Sequence, residues 1–463
     1  MRLATLLAPD LREILRDDPT QVRGLLEEIH AEDLADLFSE LTPEEAAKLL
    51  EQLPADEAAP IFERLDEHEQ EDIAQLMAAE SIAHIASEME PDDRADLFSA
   101  LPDDVGDQLL ETLARVDPEA AEDVRDIEKW PETSAGHLMT TSYVHVEPTV
   151  TVAQAIDAVR EHVKETDAQV YNVYAVDSEH RLTGVTPLKD LLVAPDPHAL
   201  LSTVWHDNFF TVHPEMDQEE VARRMAKYDL NAMPVVDGTS SVLLGICTID
   251  DIVDVLTQEQ TEDIQRLGAV EPLDVPYFAT TFRSFIKKRV VWLVILFFEE
   301  FGTQTALRHY DPIMEAIKGA LIYVPLLISA GGNSGSQSST LIIRGLTIGE
   351  IKAKDWWRVL MRESAMGLVL GLIIAAIAFG RVLMYPDQSM AFAATVAVTV
   401  IFIIMAGCTV GSMLPIILKK LGFDPATSST PFITSLVDTF GVIIYAHVAK
   451  IIMADVIAKA GAG

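Results

Sequence analysis

The chain has 463 residues, with 73 acidic against 34 basic side chains, a formal net charge of −39, and it is 49% hydrophobic and 23% charged. Phosphate binding needs clustered Lys and Arg, so nucleic acid is excluded as the default partner; the acidity favours cations or basic proteins, the plain alternative being a solvated, salt-adapted surface. High apolar and high charged content coexist only if they are segregated, and they are: residues 1–130 carry 37 acids and 10 bases, residues 131–270 carry 23 and 8, and residues 271–463 carry 13 and 16. The length suits about three domains at roughly 150 residues each. The two cysteines, Cys247 and Cys408, sit in apolar surroundings and imply no disulfide framework, as in a reducing cytoplasm. The opening MRLATLLAPDLREIL is too short an apolar run for a signal peptide.

Residues 1–130 predict an all-helical domain. Apolar residues recur three and four apart, and LTPEEAAKLL, LPADEAAPIF and LPDDVGDQLL each set Pro and then acids in a first helical turn. ADLFSEL (35–41) returns as ADLFSAL (95–101), so a superhelical stack of short helices is expected. The run EPDDRADL gathers Asp92, Asp93 and Asp96 near one helix start, where they either cap the helix or hold a cation.

From residue 131 short β-branched runs alternate with helical stretches, and the region is doubled. YNVYAVD (171–177) answers NAMPVVD (231–237), and GVTPLKDLL (from Gly184) answers GICTIDDIV (from Gly245). Residues 131–256 resemble a tandem CBS pair, with copies at about 137–196 and 201–256. Such pairs form a disk and often bind ATP or another adenosine nucleotide. In that family an Asp holds the ribose and a Ser or Thr three residues earlier faces phosphate. Asp190, with Tyr171, is the nucleotide candidate in the first copy, but Pro187 stands where Thr248 fits in the second. Asp190 can equally cap the helix that follows.

The second copy runs into DIVDVLTQEQTEDIQRLGAV. Here Asp251, Asp254 and Glu262 fall near one helical face, with Glu259 close by. Like charges packed at such a joint repel unless a divalent ion or water lies between them. Residues 251–282 form a connecting helix and linker.

Residues 283–463 read as an all-helical membrane domain. Five spans fall at about 289–308, 317–345, 364–385, 391–418 and 428–455, each near or above the ~20 residues a crossing needs. Arg283, Lys287, Lys288 and Arg289 precede the first span. Arg344, Lys352, Lys354, Arg358 and Arg362 follow the second, and Lys419 and Lys420 follow the fourth. The positive-inside rule sets the large N-terminal part in the cytoplasm and, with five spans, the C-terminus outside. Some spans hold polar groups: Glu299 and Glu300 in the first, SAGGNSGSQSST with Asn333 and Gln337 in the second, and Thr434 and Asp438 in the fifth. Asn333, Gln337 and Thr434 either pack tightly against neighbours or line a pore. A carboxylate in hydrocarbon costs roughly 3 kcal/mol even on lenient scales, so Asp438 needs a compensating partner: a neighbouring helix or a permeating cation.

The order of domains, together with GGNSGSQSSTLIIRGL and PFITSLVDTFGVIIY, resembles the MgtE family of magnesium channels across essentially the whole chain. The resemblance implies a homodimer in the lipid bilayer of the cell membrane, with the pore on its twofold axis and the Asp438 carboxylates binding magnesium there. It also implies gating by regulatory magnesium bridging the helical domain, the CBS pair and the connecting (plug) helix. Carried over by position, the bridging acids are Asp251, Asp254, Glu259 and Glu262; Glu215, Asp217 and Glu219 at the start of the second copy; and Asp92, Asp93 or Asp96. Lys227 departs from the pattern, standing where an acid is expected, and the family does not require Glu299–Glu300. No glycine loop, Cys/His cluster or nucleophile constellation points to an enzyme. The rival readings are a channel or exchanger for cobalt, manganese or calcium, and a membrane-anchored nucleotide sensor.

Overall fold

A computed structural model describes residues 29–460 apart from 167–168, 274 and 428–429; the opening stretch read for a signal peptide lies outside the described residues. The chain divides into two compact units, Met1–Thr257 and Gln258–Gly463.

In the first unit, among the described residues, eight short helices come first: α1 (Ala31–Phe38), α2 (Pro43–Leu50), α3 (Ala55–Phe62), α4 (Glu67–Ala74), α5 (Ala79–Glu88), α6 (Pro91–Ala100), α7 (Asp103–Val116) and α8 (Pro118–Glu128). Local chemistry sets their starts. Thr42 and Glu45 form a reciprocal capping box on α2, and Asp117 accepts the backbone N–H groups of Glu119 and Ala120 at the start of α8. Each helix packs on the next but one, which makes the stack superhelical. The repeated heptapeptide is a repeat of packing: Leu37 and Phe38 of α1, and Leu97 and Phe98 of α6, are all buried. The buried Arg94 guanidinium donates to the carbonyls of Ala86, Met89 and Ala120 and pairs with Asp123, tying the end of α5 to α8.

Next come β1 (His145–Val146), α9 (Val152–Thr166), β2 (Asn172–Val176), β3 (Leu182–Pro187), α10 (Leu188–Leu192), α11 (Gln218–Tyr228), β4 (Ala232–Val236), β5 (Leu243–Thr248) and α12 (Ile249–Leu267). β1 runs parallel to β2, and the β2–β3 and β4–β5 hairpins are antiparallel. The doubling extends to detail. Register slips after Ala175 in one copy and after Val235 in the other. His180 and Ser241, at matching turns, both have positive φ (59° and 60°). The copies meet through an apolar seam that includes Tyr174, Val185, Val236 and Ile246.

The repeated glycine has a steric cause. A Cβ on Gly184 would come within 2.6 Å of Trp205, and one on Gly245 within 2.7 Å of the Thr140 carbonyl oxygen. Overpacking of this kind costs about 1–3 kcal/mol. Gly245→Ala is therefore expected to lower the thermal midpoint of the soluble unit by several degrees. An unchanged midpoint would show that the Met139–Thr140 segment yields freely.

The second unit begins within α12 and continues with α13 (Phe282–Ala316), α14 (Ala320–Thr347), α15 (Trp356–Leu383), α16 (Met390–Lys420), α17 (Thr430–Ile452) and α18 (Ala454–Ala460). Among the described residues, four segments are long and apolar enough to cross a membrane: α13, α15 with the turn before it, α16 and α17. The helix α14 is as long, but its window holds the SAGGNSGSQSST run. Outer faces carry exposed Leu293, Phe297, Ile322 and Ile377, the pattern of a lipid-facing surface. Two boundaries differ from expectation. Arg283, Lys287, Lys288 and Arg289 lie on the opening turns of α13, because the Thr281 cap starts the helix upstream of them. The fifth helix ends at Ile452, and residues 454–460 form a separate short helix.

Small residues set how these helices approach. A Cβ on Gly407 would lie 2.4 Å from the Gly331 carbonyl oxygen, and one on Gly411 2.2 Å from that of Gly335. The α14–α16 pair is thus in backbone contact, the close approach that glycine permits.

Candidate functional site

Two acidic constellations stand out, one in each unit. In the first unit, the stack brings the end of α3 beside the start of α6. The backbone N–H of Glu90 donates to Glu63 Oε1 at 2.6 Å, and Asp92 and Asp93 occupy the first turn of α6. Asp251, in the first turn of α12, accepts from Thr248 Oγ1 at 2.6 Å. Asp92 is 8% exposed, and its Oδ1 has no hydrogen-bond partner. Burial, then the charges of Asp251, Asp93 and Glu90, hold Asp92 well above the usual carboxylate range. Burial and then Glu63, Asp251, Asp96 and Glu90 do the same to Asp93. Burial pushes Glu63 and Asp251 each up to about 7, against the hydrogen bonds from Glu90 and Thr248.

A crowd of buried like charges with an orphaned oxygen suits a cation. Among the described residues, no three His, Cys, Asp or Glu side chains converge closely enough to hold a bare ion. Glu63 and Glu90 escaped the sequence reading, because only the stack brings the end of α3 to the start of α6.

The other soluble candidates are spread out. Asp96 pairs with His137 Nε2 at 3.1 Å. Burial, and then the charges of Glu32 and Asp250, push the Asp254 carboxyl up from its usual range. Asp217 caps α11 through the Glu219 N–H, Glu219 pairs with Arg223 at 2.6 Å, and Glu215 is exposed. Asp190 contacts His206 Nε2 at 2.9 Å, and the Tyr171 hydroxyl donates to Gln169. In the second unit Glu262 pairs with Arg266 at 2.7 Å, and Glu259 lies one turn before the adjacent Asp263, which accepts from Thr347.

The membrane constellation is built on α13, α14 and α17. Asp438 is half-buried, with Oδ1 buried and unpartnered. One turn earlier, Thr434 contacts Ser336 at 3.2 Å. Beside Asp438, Thr439 contacts Thr303 at 2.9 Å and joins α17 to α13. The adjacent glutamates point apart: Glu300 is exposed, whereas both carboxylate oxygens of Glu299 are buried and unpartnered. Glu300 and Asp438 are the charges that act on Glu299. Asn333 and Gln337, one turn apart, form with Thr340 an exposed polar face of α14, away from its glycine face. Ser338, on the buried side, donates to Glu363 of α15 at 2.6 Å.

A helical stack, a doubled β-α module and long apolar helices that carry carboxylates fit a membrane protein with a large part outside the bilayer. The family model for the MgtE divalent cation transporter matches residues 324–448, that for the MgtE intracellular N domain residues 29–133, and that for the CBS domain residues 135–196 and 206–258. The "Magnesium transporter MgtE" of Thermus thermophilus is 38% identical over 73% of this chain and 74% of its own length. That of Enterococcus faecalis is 30% identical over 72% of each. A solved structure described as the cytosolic domain of the Mg2+ channel MgtE in complex with ATP is 35% identical, has a TM-score of 0.50, and covers 54% of this chain and all of its own. The chain belongs to the MgtE family of divalent cation transporters, a transporter family and not an enzyme class.

Proposed function

We propose that the protein is a magnesium channel or transporter of the cell membrane, gated by intracellular magnesium. The observation that carries this reading is Asp438: a membrane-embedded carboxylate with an unpartnered oxygen, in a helix that otherwise packs well. In this reading α14 also crosses the membrane, bringing the spans to five, and its amide face turns toward a pore shared with a second copy. The odd number of crossings sets the C-terminus outside. Two Asp438 side chains, one from each copy, hold a largely hydrated ion weakly enough to release it. Asn333, Gln337 and Thr434 line the path.

The acids Glu63, Glu90, Asp92, Asp93 and Asp251 would hold the regulatory ion, which supplies the positive charge that the cluster lacks. Asp92 sits on the helical stack and Asp251 on α12, which continues into the second unit as the connecting helix, so whatever changes their repulsion acts on that helix directly. Asp254, Glu259, Glu262, Glu215, Asp217, Glu219 and Asp96 extend this acidic surface. A nucleotide at Asp190 and Tyr171 is a second reading, favoured by the ATP complex of the similar cytosolic domain.

The test is metal flux in liposomes containing the purified protein. Magnesium uptake that exceeds calcium, manganese and cobalt uptake is expected. Uptake of another dication in preference would move the reading to that ion, and no uptake of any would favour the anchored sensor.

A further inference from the structure

The start of α15 carries charge that ion transport leaves unused. Residues 352–362, KAKDWWRVLMR, hold four cations and one acid in a chain whose net charge is −39. The nearby acids are engaged elsewhere: Asp355 accepts from the backbone N–H of Lys352, and Glu363 accepts from the buried Ser338. Lys354, Arg358 and Arg362 are exposed, and among the described residues none of them pairs with a carboxylate. Arg358 lies in the first turn of α15, a helix with no acid in that turn and no side-chain cap. Cations at a helix start oppose its dipole, so the placement is unfavourable without an anion beside it.

The surroundings select the anion. One face of α15 begins with Arg358 and Arg362 and continues, at helical spacing, with Val369, Leu372 and Ile373. Those three apolar side chains are 54%, 52% and 54% exposed. The segment is long and apolar enough to cross a membrane. A soluble polyanion or an acidic protein segment would meet the arginines and leave the apolar part of the face bare. A lipid with a charged headgroup and acyl chains covers both. Trp356 and Trp357 are exposed between the cations, and indoles settle at the headgroup level of a bilayer. Lys420 Nζ, at the end of α16, lies 5.3 Å over the Trp356 ring and brings a further cation from a second helix. The planar fork of arginine can engage two phosphate oxygens at once.

We propose that the start of α15, with Lys420 of α16, binds an anionic phospholipid, its phosphate held by Lys354, Arg358 and Arg362 and its acyl chains laid along Val369, Leu372 and Ile373. The bound headgroup joins α15 to α16 and so stabilises the membrane unit. Binding of this kind depends on α15 lying in the bilayer and not on which ion passes.

The test uses the full chain in neutral detergent, freed of native lipid and divalent ions, at about 0.15 M salt, where diffuse attraction between exposed charges is largely screened. The thermal midpoint is followed as phosphatidylglycerol is added to the micelles. A saturable rise of several degrees is expected, with little rise from phosphatidylcholine of the same chains or from inorganic phosphate. Arg358→Gln with Arg362→Gln is expected to raise the half-saturating lipid fraction about tenfold or more. Both side chains are exposed, so the fold is expected to survive the change. The pair Arg283→Gln with Lys287→Gln, which removes the same charge from the start of α13, is expected to leave that fraction within about twofold. No saturable rise overturns the proposal. An equal rise with phosphatidylcholine reduces the site to an apolar face, an equal rise with phosphate reduces it to a simple anion site, and equal weakening by both pairs reduces it to diffuse attraction; each of these overturns it as well.

Discussion

Asp438→Ala is expected to lower magnesium flux into liposomes by about two orders of magnitude while leaving the thermal midpoint of the detergent-solubilised protein nearly unchanged. A hydrogen bond to a charged group is worth about 1.5–3 kcal/mol, and each 1.4 kcal/mol is tenfold. Two copies facing one ion would feel the loss together. The side chain is half-buried and its Oδ1 bonds to nothing, so deletion removes little that holds the helix in place. Asp438→Asn keeps the shape without the charge and is expected to behave like alanine. Asp438→Glu keeps the charge a methylene further out and is expected to retain partial flux. Full flux in the alanine variant with a lowered midpoint would reassign Asp438 to packing.

The second large effect lies at the acid cluster. Asp92→Asn or Asp251→Asn is expected to leave flux intact and abolish its inhibition by internal magnesium. Stability offers an independent readout. A ligand that binds only the folded state at a hundred times its dissociation constant stabilises by about 2.7 kcal/mol. Wild type should therefore gain several degrees of thermal midpoint on adding magnesium. The Asp92→Asn variant should start higher without the ion, because one buried repulsive charge is gone, and should gain less with it. Normal inhibition by magnesium in both variants would remove the cluster from the gate.

Much of this was legible in the chain itself. The return of ADLFSEL as ADLFSAL announced a packing repeat, and the 60-residue echo of YNVYAVD announced a doubled module, since local sequence dictates local packing. Asp438 was visible because one acid in an apolar run is a physical anomaly wherever the run folds. What could not be read depends on distance through space. Glu63 and Glu90 meet only because helices pack on the next but one. His137 Nε2 and Asp96, 41 residues apart in sequence, meet only in the fold. Adjacency in sequence did not say which of Glu299 and Glu300 would turn inward. The start of α13 was placed late because a run of basic residues looks like a boundary, whereas the Thr281 cap makes the helix begin before it.

The amide face of α14 sets a condition on its surroundings. Asn333 and Gln337 are exposed, and lipid offers amides nothing to bond with. In the proposed homodimer the second copy would meet that need, so the groups proposed to line the path would also be the ones that favour pairing.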